Sequence, residues 1–188
     1  MLRKPFVAFA TVLGLVAPAS GDRSESGVAD VTVIENGEGA ARVLFRCPPV
    51  DAAEGLAVRR ATLTLSITGP SEARTVHLQV HPVTREWDPR TVSWESGWSR
   101  PGGDFDDELY ARTRVALDRG ATTAHLDVTS LVKEIVESGF VVDGFILTVA
   151  PRDGEGIRTE DLSRLEGLTG ATFDLMYRAV PTIPRGEG

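Results

Sequence analysis

Between Ala61 and Ile67 apolar side chains take every second position. Arg60, Thr62, Thr64 and Ser66 fill the positions between Ala61, Leu63, Leu65 and Ile67. A period of two puts one set on a buried face and the other in solvent, so the stretch predicts a half-buried β-strand. The same spacing recurs at Val76, Leu78 and Val80, which alternate with His77, Gln79 and His81. It returns at Val115 and Leu117, at Ala124, Leu126 and Val128, at Phe145, Leu147 and Val149, and at Phe173, Leu175 and Tyr177. Val31 and Val33 are separated from Ala41, Val43 and Phe45 by Asn36-Gly37, a hairpin signal. One segment changes period. Leu131, Val132, Ile135 and Val136 follow helical spacing, with Asp127 or Thr129 to cap the start and Gly139 to stop it. Leu162, Leu165 and Leu168 suggest a second helical turn, although Gly154, Gly156, Gly167 and Gly170 favour loop. Roughly eight to ten short strands with turn signals between them read as an all-β sandwich or barrel with one short helix. The pieces fit one domain over residues 30–179, followed by a polar tail, 180–188.

The N-terminus is different in kind. Arg3-Lys4 precedes an apolar run from Phe6 to Ala17, and Ala17-Pro18-Ala19 precedes polar Ser20-Gly21-Asp22. This is the pattern of a secretory signal peptide over residues 1–19, cleaved after Ala19. A membrane span needs about 20 apolar residues and the run is too short. The protein is therefore expected to be secreted, to the extracellular space, the cell surface or the periplasm. Residues 20–29, small and charged, read as a flexible lead. Without Arg3 and Lys4, 18 basic residues face 27 acidic ones, a net charge of about −9. That balance argues against nucleic acid or an anionic membrane as partner. Export permits disulfides, but Cys47 is the single cysteine, which excludes a bridge within the chain. Cys47 reads as a small buried thiol.

The stretch Val80–Trp98 is the most conspicuous in the chain. It meets Trp87, breaks at Asp88-Pro89, resumes as Thr91-Val92-Ser93-Trp94 and closes on Trp98. Together with Ala61-Thr62-Leu63-Thr64-Leu65, the strand Val76–Val83, Asp127-Val128-Thr129-Ser130-Leu131-Val132 and Gly144-Phe145-Ile146-Leu147, it forms an ordered series. In that series the chain resembles the DNRLRE domain, also grouped as carbohydrate-binding module family 96, over about residues 40–178. There are departures. The helix after Asp127–Val132 carries no Trp, Val142-Asp143-Gly144 stands where an N-x-G turn is usual, and Asp153–Gly170 is longer and more charged than the family pattern. The resemblance implies a jelly-roll β-sandwich of bacterial secreted and surface proteins. It also implies a non-catalytic role in holding polysaccharide, with uronate polymers such as alginate among the ligands.

Trp87 and Trp94 read as packing around the chain break, and Trp98, in a polar loop, as the better ring for stacking on a sugar. The polar strand positions Arg60, His77, Gln79, His81 and His125 read as a ligand surface suited to hydroxyls and uronate carboxylates, since Arg can bind a carboxylate through paired hydrogen bonds. His77 and His81 lie about 13 Å apart along one strand, too far to share an ion. A metal site would need His125 to face one of them. Asp104, Asp106, Asp107 and Glu108 are the calcium candidates, but their spacing lacks the D-x-D-x-D-G form, so they read as a solvated acidic loop. No cofactor is expected. No G-x-S-x-G elbow occurs, and no carboxylate pair stands out, so the chain reads as non-catalytic. The resulting expectation is a secreted polysaccharide-binding module. The alternative is a structural or adhesion protein of the envelope or matrix that binds protein partners.

Overall fold

The computed structural model describes residues 23–38, 40–46, 56–68, 74–117, 121–139, 142–149 and 168–179. Residues 1–19, expected to be a signal peptide, Cys47, the tail and most of Asp153–Gly170 lie outside the described residues, and with them Leu162 and Leu165 of the expected second helical turn; Leu168, its third leucine, begins a strand instead.

Nine strands and one helix are described: β1 (Arg23–Val28), β2 (Asp30–Glu35), β3 (Ala41–Arg46), β4 (Leu56–Thr68), β5 (Arg74–Pro82), β6 (Ala111–Leu117), β7 (Ala121–Asp127), α1 (Thr129–Ser138), β8 (Phe145–Val149) and β9 (Leu168–Ala179). They build two antiparallel sheets, one in the order β1-β9-β4-β7 and one in the order β2-β3-β8-β5-β6. With β2 set aside as an added edge, the orders 1-9-4-7 and 3-8-5-6 are the jelly-roll interleaving, in which consecutive strands keep crossing between sheets. The expected jelly-roll-like β-sandwich with one short helix is the observed architecture.

The alternating apolar positions meet between the sheets. Ala61, Leu63, Leu65 and Ile67 of β4 and Phe173, Leu175 and Tyr177 of β9 face Val76, Leu78 and Val80 of β5 and Phe145, Leu147 and Val149 of β8 in one buried cluster. Phe145 and Phe173 stack across the two sheets with ring centroids 5.8 Å apart. Truncating a fully buried Leu here, such as Leu65, would remove its transfer free energy and leave a cavity, about 2–5 kcal/mol together.

Helix α1 closes one end of this core with Leu131, Val132 and Ile135, and Gly139 ends it at φ 67°. Neither expected cap holds the N-cap position, which falls to Val128 and has no side-chain cap bond; Asp127, one residue earlier, accepts the Thr129 N–H through Oδ1 at 2.9 Å. The Thr129 hydroxyl turns to β4 instead, accepting the Ala61 N–H at 3.0 Å, while the Val128 N–H donates to the Ala61 carbonyl. The start of the helix is thus tied to the neighbouring sheet.

The flexible lead expected over 20–29 is corrected. Residues 23–28 form β1, paired along their length with β9 from Arg23↔Tyr177 to Val28↔Thr172. An edge strand is held by backbone hydrogen bonds, which polar composition does not forbid, and it needs few apolar side chains of its own. Gly27 and Ala29 are buried. Arg23 and Glu25 pair with each other at 2.6 Å. Charges of this kind on an edge discourage further strand addition.

Candidate functional site

The five-stranded sheet has a second buried layer, on its outer side. Ile34, Leu44 and Ile146 point away from the main core and are covered by Val83 and Trp87, with Val92, Trp94, Trp98 and Phe105 packed around them. The cover is the long β5–β6 connection, Val83–Tyr110. Its anchor is Asp143. The Asp143 carboxylate accepts the Trp87 backbone N–H and the Arg46 guanidinium, each at 2.9 Å, and its carbonyl accepts Trp87 Nε1 at 2.8 Å. Arg46 also donates to the Trp87 carbonyl and lies over its ring. Gly144, next in sequence, has φ 116°, and a Cβ there would collide with the Phe45 carbonyl. No other residue fits, because both the backbone angle and the space exclude a side chain.

From this anchor the connection crosses the sheet. Gly102 lies over β3, where its carbonyl accepts Arg42 Nη1 at 2.5 Å, and Gly103 lies against Ile146 of β8. Phe105 bridges to Val83, just past the end of β5, and the Asp106 N–H donates to the Pro82 carbonyl. Gly102 has φ 83°, a backbone angle that favours glycine. Residues 102–106 thus make a wall transverse to three strands. Its acidic residues hold it together. Asp104 accepts Ser99 N and Oγ at 2.8 and 2.6 Å, and Asp107 pairs with Arg100 at 3.0 Å. Burial alone would raise the Asp104 carboxyl, but the Ser99 and Arg100 hydrogen bonds and Arg85 outweigh it and hold it below its ordinary value.

Along the foot of the wall runs a cavity of about 280 Å³, lined by Arg42, Gln79, His81, Trp94, Phe105 and Thr148 among others. The Arg42 guanidinium is sandwiched by Trp94 and Phe105, 5.0 and 4.8 Å from their ring centroids. Burial, and then Arg100, lowers its pKa, yet a guanidinium stays charged in a protein. His81 is 5% exposed, with Nδ1 2.9 Å from the Asp106 carbonyl and its ring against Phe105 and Tyr110. Burial lowers its pKa, partly offset by that hydrogen bond and by Asp107.

The floor continues past the cavity toward the edge strand. Gln79 is paired with Thr148 on β8 and with Arg112 on β6, and His77 is paired with Arg114. Directly paired residues in an antiparallel sheet share a face, so Arg112 and Arg114 extend the polar floor as two exposed cations. Among the described residues neither has an ion-pair partner. A chain with formal charge −7 thus carries a basic strip on one face.

The polar positions expected to form one ligand surface are divided between two. His77, Gln79 and His81 line the outer face of the five-stranded sheet. Arg60 and His125 lie on the outer face of the other sheet, with the His125 ring 3.1 Å from the Thr64 hydroxyl. The buried core separates them, so His125 faces neither His77 nor His81. Among the described residues no group of three His, Cys, Asp or Glu could hold a metal ion. The aromatic member also changes. Trp98 is half-buried, its Nε1 donates to the Ser93 carbonyl at 2.8 Å, and it does not line the cavity, whereas Trp94 does. Alternation identified Gln79 and His81, but Arg42, Trp94, Thr148, Arg112 and Arg114 were missed.

No protein-family model matches this chain, and no curated protein matches it. Three of the motifs read in the sequence have a physical place in the fold. Ala61–Leu65 is core strand, Trp87 with Gly144 anchors the wall, and Asp127–Val132 ties α1 to β4.

Proposed function

We propose that this chain is an exported, non-catalytic module that binds an acidic polysaccharide, a uronate polymer, on the outer face of the five-stranded sheet. The observation that carries the reading is the pairing of Arg112 with Gln79 and of Arg114 with His77 beside the Arg42–Trp94 cavity. Guanidinium groups with no ion-pair partner among the described residues, on an acidic protein, favour an anionic ligand, which they can grip through two parallel hydrogen bonds per carboxylate. Gln79 and Thr148 offer donors and acceptors for ring hydroxyls, and Trp94 and Phe105 offer apolar edges for the ring faces. The resemblance of its motifs to those of carbohydrate-binding module family 96 supports the same class.

Native gels cast with single polysaccharides test this. Retardation by a uronate polymer, weakened by added salt and absent with neutral glucans, is the expected result. Equal mobility in every gel would overturn the reading and turn attention to protein partners, the adhesion alternative.

A further inference from the structure

Resting on that reading, we infer that the site measures the ligand. It takes a segment of four acidic sugar residues, laid across the strands, whose first and last carboxylates are held by Arg42 and Arg112.

The direction follows from the wall. A chain lying along β5 would pass from His77 over Gln79 to His81, where Phe105, the Asp106 carbonyl and Tyr110 close the path and leave His81 5% exposed. Among the described residues, a chain lying across the strands meets no such obstacle. It runs parallel to the wall, from Arg42 on β3 over Thr148 on β8 and Gln79 on β5 to Arg112 on β6. Thr148 and Gln79 are paired, Gln79 and Arg112 are paired, and Arg42 stands one step beyond the Val43↔Leu147 pair, level with Thr148.

The length follows from the sheet. Adjacent strands are about 4.8 Å apart, so the three steps from β3 to β6 span roughly 14 Å. The repeat of an extended pyranose chain is close to one strand spacing. Each residue therefore meets one strand, and carboxylates three repeats apart meet the two arginines. Arg42 uses one donor on the Gly102 carbonyl, and a guanidinium has five, so donors remain for the ligand. Asp107 also lines the cavity, but Arg100 holds its carboxylate at 3.0 Å.

Calorimetric titration with uronate oligosaccharides of increasing length tests this. Affinity should rise to the tetrasaccharide and then level off. Arg112→Ala, on an exposed edge position that leaves the wall intact, should weaken the tetrasaccharide about tenfold and leave the disaccharide, held at the Arg42 end, within about twofold. Affinity that levels off at the disaccharide, keeps rising to the hexasaccharide, or falls equally at all lengths in the variant would overturn the inference while leaving polymer binding in place. Absence of binding to oligosaccharides and polymer alike would overturn the binding reading itself.

Discussion

Trp87 and Asp143 are joined twice. The indole Nε1 donates to the Asp143 carbonyl at 2.8 Å, and the Trp87 backbone N–H donates to the Asp143 carboxylate at 2.9 Å. Residues 56 positions apart are thereby locked side by side, and the wall that bounds the cavity starts at this lock. Asp143 stands at the turn into β8, so the loop cover and the sheet floor share one fixed point. Asp143→Ala removes the acceptor for both the Trp87 N–H and Arg46. The expected loss is about 1–3 kcal/mol, read as a lower urea midpoint with a red-shifted tryptophan emission. An unchanged midpoint would show that the lock is not what holds the cover.

The three tryptophans separate by burial. Trp87 is 4% exposed and central to the outer cluster, so Trp87→Ala should cost about 3–5 kcal/mol. Trp94 is partly exposed and lines the cavity, so Trp94→Ala should cost less stability and weaken polysaccharide binding by about three- to tenfold. Paired unfolding and binding measurements on the two variants check the split. Equal effects of both on binding at fixed stability would contradict it.

Acid should loosen the wall through His81. Burial lowers its folded pKa below the ordinary 6.5, so between those values the unfolded chain binds the proton and the folded chain does not. The stability carried by neutral His81 is complete above pH 6.5 and is lost as pH falls toward the folded value. The charges of Asp106 and Asp107 favour protonation of the ring and that of Arg42 opposes it. His81→Gln should flatten the pH dependence of the melting temperature between neutrality and pH 5. The lowered carboxyls of Asp104 and Asp127 act in a separate window, below their ordinary 3.8. A variant with the wild-type slope in the upper window would rule out His81 as its source.

Most strands were legible because a half-buried strand writes its burial into every second residue, as at Ala61–Ile67 and Val76–Val80. The helix was legible by its change of period at Leu131–Val136. Strand β1 was not, because Arg23–Val28 is held by its backbone against β9 and its side chains are small or charged. The site was legible only in part. Alternation says that Arg60, His77 and His125 point outward, but not from which sheet, so residues on opposite faces were grouped together. Arg112 and Arg114 did carry a signal, since they hold the outward positions of Ala111-Arg112-Thr113-Arg114-Val115. Arg42 also holds an outward position, between Ala41 and Val43, but apolar Leu44 follows on the same face because the wall covers it, so that face of β3 did not read as a polar surface.

The two polar faces supply the most direct test, because they are alike in composition and separated by the core. Binding of a uronate polymer would be measured by calorimetry for the unsubstituted chain, for Arg112→Ala with Arg114→Ala, and for Arg60→Ala with His125→Ala. Loss of tenfold or more in the first double variant, with the second within about twofold of the unsubstituted chain, is the predicted result. A larger loss in the Arg60/His125 pair, or equal binding by all three proteins, would contradict the assignment of the ligand face to the five-stranded sheet.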